Sequence, residues 1–214
     1  NEYNTLQHLK NNLKNKIVTI RIDANIPIVN GVITDNSRLK EALPSIIFAL
    51  NEGAAKVLLL SHFGRPKAGK REKEFSLMQV KEEIEKLVGE EIDFAENFDF
   101  KISNSNKRII LFENLRYNEE EEKGSETFAK TLANLGDIYV NDAFSCAHRP
   151  HASISEIRKF TKVYAGFLME KEIEAITAIT SKSSGKVFTI VGGSKVSTKI
   201  SLLKNLVKKM VHSL

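Results

Sequence analysis

Tryptophan is absent from the 214 residues, cysteine occurs once and proline four times. Each scarcity removes a class of protein. A single cysteine, Cys146, cannot close an intrachain disulfide, which excludes a disulfide-stapled scaffold. With five scattered histidines it also gives no zinc-type ligand spacing, so no structural metal is expected. A bilayer-spanning helix needs roughly 20 apolar residues, and no run approaches that length. The largely polar start, Asn1 to His8, lacks the basic-then-apolar layout of a secretory signal, so a cytoplasmic location is expected. Aromatics make up only 7% and do not interleave with Lys or Arg, so nucleic acid is not the expected partner.

What remains is ordinary for a globular chain: 42% hydrophobic, 28% charged, a net charge of +5, and a length suited to one domain and part of another. Apolar, β-branched runs at residues 17–22, 56–60, 109–112, 137–140 and 187–191 predict strands. Three- and four-residue apolar spacing predicts helices over 37–51, 76–88, 125–134, 166–180 and 196–210; Leu77, Val80, Ile84 and Leu87 show it most plainly. Such alternation predicts an α/β fold, a Rossmann-like parallel sheet with helices on both faces. Gly53 and Gly89 sit where helices should end, Asn30-Gly31 makes a turn, and 103–106 is a polar loop. A long helix from Gly166, a small-residue stretch at 181–185 and a fresh strand suggest a connector into a second α/β domain. The expected division is 1–165, a linker helix at 166–183, and the beginning of an incomplete domain at 184–214.

In open α/β sheets ligands gather at the carboxyl ends of the strands. There the chain places RIDAN (21–25), SHFGRP (61–66), ENLR (113–116) and NDAF (141–144), the last running on to AHRPH (147–151). Four of the eight arginines, Arg21, Arg65, Arg116 and Arg149, fall in these segments and Arg38 stands at the start of the first predicted long helix, while lysine is the common cation elsewhere. A guanidinium binds carboxylate or phosphate oxygens through two parallel hydrogen bonds, as an ammonium cannot, so the pattern predicts a compact anionic ligand. A lone arginine after a strand is more often an ordinary ion-pair partner, and Arg21 beside Asp23 or Asp142 fits that description. Repetition at successive strand ends is the argument for binding.

Residues 21–27, 31–38, 61–66, 113–117, 139–144, 147–153, 165–172 and 192–199 closely resemble, in order and spacing, the signature blocks of phosphoglycerate kinases. The resemblance implies reversible phosphoryl transfer between 1,3-bisphosphoglycerate and ADP, giving 3-phosphoglycerate and ATP, by a monomer that closes about a hinge. It implies that Asp23, Asn25, Arg38, His62, Arg65, Arg116, His148 and Arg149 hold the phosphoglycerate. Arg38 and Lys195 would face the transferring phosphoryl, and Gly193, Lys195 and Lys199 the nucleotide phosphates. Magnesium with ADP or ATP would be held mainly by a second domain, which these residues only begin. The chain alone is therefore expected to bind substrate and turn over poorly. Ala24, Pro150, Ser194 and Thr198 depart from the usual pattern, the last where aspartate is common.

Gly192-Gly193-Ser194-Lys195, between a predicted strand and helix, has the form of a phosphate-approaching turn. Gly64, Gly69 and Lys70 mimic a P-loop, but Arg71 stands where Ser or Thr is required, which rules the motif out. Residues 67–73 and 119–123 are expected as solvated charged loops, and Cys146 as a packing residue.

Overall fold

Along the first strand Val18 and Ile20 alternate with Thr19 and Arg21, yet all four are buried, the mark of a strand covered on both faces. The computed structural model describes residues 3–67, 69–183 and 194–214. Strands β1 (Ile17–Arg21), β4 (Lys56–Leu60), β5 (Asp93–Ala95), β6 (Ile109–Phe112), β7 (Ile138–Asn141) and β8 (Val163–Ala165) form one parallel sheet in the order β5-β6-β4-β1-β7-β8. A separate hairpin pairs β2 (Ile28–Val29) with β3 (Val32–Ile33) around Asn30 and Gly31, both at positive φ as a tight hairpin turn requires.

Helices cover both faces. Val18, Ile20, Val57, Leu59, Ile109 and Leu111 pack against α1 (Ser37–Asn51) and α2 (Lys81–Val88) through Leu39, Ile46 and Ile84. Leu58, Leu60, Ile110, Phe112 and Tyr139 face the other way, onto Phe128 and Leu132 of α4 (Glu126–Ala133), which follows the short α3 (Glu119–Glu122). The α/β class and the two-sided covering are as the sequence predicts. The central strands lie within a residue of their expected bounds. The expected strand at 187–191 lies outside the described residues. The first turn of the helix predicted over 76–88 tightens into a 3-10 segment, Leu77–Val80, before α2 begins.

After β8 the chain enters α5 (Phe167–Ser183), and the last described element is α6 (Ser194–His212). Leu206, Val207, Met210 and Val211 of α6 lie with Met169, Ile173 and Ile176 of α5 in one apolar cluster that also takes in Phe144, Ala147 and Ala165. The start of α5 is held from a distance. The preceding residues, Ala165 and Gly166, offer no side-chain acceptor; instead the buried Asp142, just past β7, accepts from the Met169 amide at 3.1 Å. Ser45 of α1 bonds the same carboxylate and accepts from the Phe167 amide at 2.9 Å. These contacts satisfy donors that a helix start leaves open. Among the described residues no helix is long and apolar enough to cross a membrane.

Candidate functional site

Hydrogen bonds between the loops that follow β1, β4 and β6 bring their side chains together. Ser61 Oγ accepts from the Ala24 amide at 2.8 Å, tying the end of β4 to the end of β1. The fully buried Asn114, past β6, accepts from the Phe63 amide at 3.1 Å and donates to the Phe63 carbonyl at 2.7 Å. Asn25 Oδ1 accepts from the Gly64 amide and Arg116 Nη1 donates to the Gly64 carbonyl, both at 3.0 Å. Gly64 itself is at φ +59 with the Phe75 ring 2.5 Å from where a Cβ would stand, so glycine is required on both conformational and steric grounds.

The result is a cavity of about 330 Å³ lined by Asn25, His62, Gly64, Arg65, Arg116, Ser145, Cys146 and Arg149. Among the described residues its lining contains no carboxylate. Arg65 and Arg149 are exposed, and among the described residues neither has an acidic partner within 4.0 Å, while Arg116 has a buried Nε with no acceptor. Burial, with the like charge of Arg21, lowers the Arg116 pKa, partly offset by Glu122. Three guanidinium groups in one concavity, none within 4.0 Å of a carboxylate among the described residues, suit a multiply charged anion, and the volume lies at the small end of ligand pockets.

A second cavity, of about 200 Å³, adjoins the first at Ser145 and is walled by Asp23, Arg38, Glu41, Asp142 and Glu172 among others. Here the arginine is paired: Arg38 Nη1 lies 2.6 Å from Asp23 Oδ2, which also accepts from Ser145 Oγ, while Asp23 Oδ1 accepts from the Asn25 amide at 3.0 Å. Among the described residues Asp142 has no cationic partner; its burial outweighs the bonds from Met169, Ser45 and Leu168, and its pKa is raised to about 6.

Among the expected site residues, Asn25, His62, Arg65, Arg116 and Arg149 line one cavity and Asp23 and Arg38 the next. His148 lines neither and is exposed. Lys195 and Lys199 are exposed on the first turns of α6, and Gly193 lies outside the described residues.

Two expectations are corrected. Arg21 does not pair with Asp23 or Asp142; it is fully buried, with Nη2 3.8 Å from Glu121 Oε2. Glu121 accordingly does not sit in a solvated loop. It belongs to α3, is fully buried, and accepts from the Ser153 amide at 2.8 Å and Ser153 Oγ at 2.5 Å. Its exposed neighbours Glu119, Glu120 and Glu122 gave the run its solvated character, but a buried guanidinium needs a buried carboxylate. Sequence reasoning also left out His151, which is buried, has an unpartnered Nδ1, and is lowered to about 4 by burial and by Arg116, Arg21 and Arg149. Cys146 is buried in the cavity wall, where desolvation raises its thiol pKa, as a packing residue requires.

Residues 7–214 match the family model described as phosphoglycerate kinase. The phosphoglycerate kinase of Coprothermobacter proteolyticus is 43% identical over 205 residues, 92% of this chain and 52% of that protein. That of Wolbachia pipientis wMel is 44% identical over 204 residues, 92% of this chain and 50% of that protein. Among solved structures, phosphoglycerate kinase from Coxiella burnetii superposes with a TM-score of 0.75 at 37% identity, covering 83% of this chain and 45% of that one. The chain thus spans about half the length of the curated relatives it matches.

Proposed function

The chain belongs to the phosphoglycerate kinase family, and from that premise we propose that its basic cavity binds 3-phosphoglycerate or 1,3-bisphosphoglycerate. One observation carries this reading: Arg65, Arg116 and Arg149 meet with His62 in a cavity whose lining, among the described residues, contains no carboxylate. In this reading the three arginines take the phosphate that is not transferred. Asn25, Asp23 and His62 take the carboxylate and hydroxyl end, and Arg38 approaches the transferring phosphoryl. Residues 1–165 form the phosphoglycerate side, 166–183 the linker helix, and 184–214 the beginning of the nucleotide side.

The acceptor in the direction of ATP consumption is a carboxylate, already ionised near neutral pH, so the reaction needs no general base. That agrees with a cavity holding arginines and neutral imidazole but no nucleophile and base pair. The domain's task is to hold the acceptor in line and offset charge on the transferring oxygens. Burial, with the neighbouring charges of Arg21 and Arg116, lowers the His62 pKa to about 2, so it serves as a neutral hydrogen-bond donor.

Magnesium with ADP or ATP would supply the phosphoryl partner and divalent charge. Among the described residues no group of acids, histidines or cysteines could hold the ion. Lys195 and Lys199, at the start of a 19-residue helix with no acidic residue in its first turn, have the chemistry to meet nucleotide phosphates.

Calorimetry with 3-phosphoglycerate tests the reading. Arg65→Ala and Arg149→Ala should each weaken binding at least about tenfold, the worth of a charge-assisted hydrogen bond; an unchanged isotherm would overturn it. Since these residues match about half the length of the relatives, a coupled assay on them alone is expected to show little turnover.

A further inference from the structure

Arg21 carries the charge the cavity calls for, at the end of the central strand, yet is excluded from the cavity. Its side chain is fully buried and every donor atom is engaged: Nε to Ser153 Oγ at 3.0 Å, Nη1 to the Ile22 carbonyl at 2.7 Å, and Nη2 to His62 Nδ1 at 3.2 Å. Glu121, held by two bonds from Ser153, supplies the opposing charge.

The contact with His62 has one chemical reading. A guanidinium has donors only, so Nδ1 must accept, and an imidazole that accepts through Nδ1 is neutral with its single proton on Nε2. His62 lines the basic cavity. We infer that Arg21, with Glu121 and Ser153 behind it, is a positioning residue that fixes the His62 proton on Nε2, so that His62 presents a hydrogen-bond donor to the anion. Arg21 touches no ligand; it acts through His62. Without it the Nδ1–H tautomer would become accessible and would turn a lone pair on Nε2 toward a negatively charged guest. The groups facing His62 agree: Arg21, Arg116, Arg38 and His151 all oppose its protonation, as does its burial. The part that concerns substrate rests on the proposed phosphoglycerate binding; the tautomer does not.

The test therefore has two independent readouts. Long-range proton–nitrogen correlation NMR of the ligand-free chain should show His62 with an unprotonated Nδ1 and a protonated Nε2, and no titration between neutral pH and about pH 5. An Nδ1–H tautomer, or titration near the ordinary 6.5, overturns the inference. The second readout compares Arg21→Met and the milder Ser153→Ala, which frees Arg21 Nε without emptying the core. Each should return His62 toward a mixed tautomer and weaken 3-phosphoglycerate binding, for Arg21→Met by about tenfold or more, the loss of one hydrogen bond to a charged group. Should Arg21→Met fail to fold, Ser153→Ala and the wild-type spectrum decide. A folded Arg21→Met with an unchanged His62 spectrum refutes the role. Wild-type chain that shows the Nε2–H tautomer but binds no 3-phosphoglycerate would refute the substrate assignment and leave the positioning role standing.

Discussion

Replacing Gly166 by alanine should unfasten the start of α5, and the size of the effect follows from one short distance. A Cβ on Gly166 would stand 2.2 Å from Asp142 Oδ1 and 2.3 Å from its Cγ, about 1 Å or more inside the range of favourable contact. The Asp142 carboxylate must then withdraw, abandoning the Met169 amide and Ser45. Leaving a buried donor unsatisfied costs about 1–3 kcal/mol, and losing a helix-start acceptor about 1 kcal/mol, so Gly166→Ala should cost about 2–4 kcal/mol. Asp142→Gly loses the same bonds and should cost at least as much. It also removes every obstructing atom, the Asp142 Cβ at 2.7 Å included, so adding Gly166→Ala to it should cost under about 0.5 kcal/mol, a coupling of about 1.5 kcal/mol or more. Urea unfolding of the wild type, both single variants and the double variant, followed by circular dichroism, measures all four. Additive losses would refute the argument that glycine is required for space, as would Gly166→Ala within about 0.5 kcal/mol of wild type.

Three further outcomes are expected. Glu121→Ala leaves the buried Arg21 without its carboxylate and should cost about 3–5 kcal/mol in chemical denaturation; a loss under about 1 kcal/mol would mean the pair contributes nothing. Stability should fall as pH drops below 6.5, because His62 and His151 are depressed to about 2 and about 4 and the unfolded chain takes up protons the folded one refuses. Each contributes up to about 1.4 kcal/mol per pH unit within its window. Asp142, raised from 3.8 to about 6, opposes this: its stabilising contribution is complete below 3.8 and lost as pH rises through about 6. Asp142→Asn should therefore steepen the acid loss, and a flatter profile would contradict the assignment. Finally, affinity for 3-phosphoglycerate should fall with added salt, since Arg65 and Arg149 are exposed and, among the described residues, have no carboxylate within 4.0 Å; insensitivity to salt would show that these charges do not meet the ligand.

The central strands were legible because both their faces are buried, which leaves continuous apolar runs such as VLLL at 57–60. The edge strands β5 and β8 were not, being three residues each, too short for any period to register. The cavity arginines could be read from their places after strands. The position of Arg21 inside the domain could not, because its burial depends on Glu121, 100 residues away and hidden in an acidic run. His151 and His148 lie three apart in a loop, where no periodicity says which turns inward; burial selects His151. Asp142 as a helix anchor was equally invisible, since capping signals are sought beside the helix and this acceptor comes from a strand end some 25 residues earlier.

The ladder of β1 acts as a ruler for chemistry it never touches. It sets Arg21 opposite Leu60 on one side and Asn141 on the other. A shift of one residue would turn every side chain of the strand to the opposite face, sending Arg21 toward α1 and leaving an isoleucine methyl behind His62. What prevents the shift is the fit of Val18 and Ile20 against the helices on their side. On the proposed role of Arg21, the His62 proton is aimed by aliphatic residues that do not line the cavity, and a core substitution in β1 that lets the strand slip would weaken anion binding with every cavity residue intact.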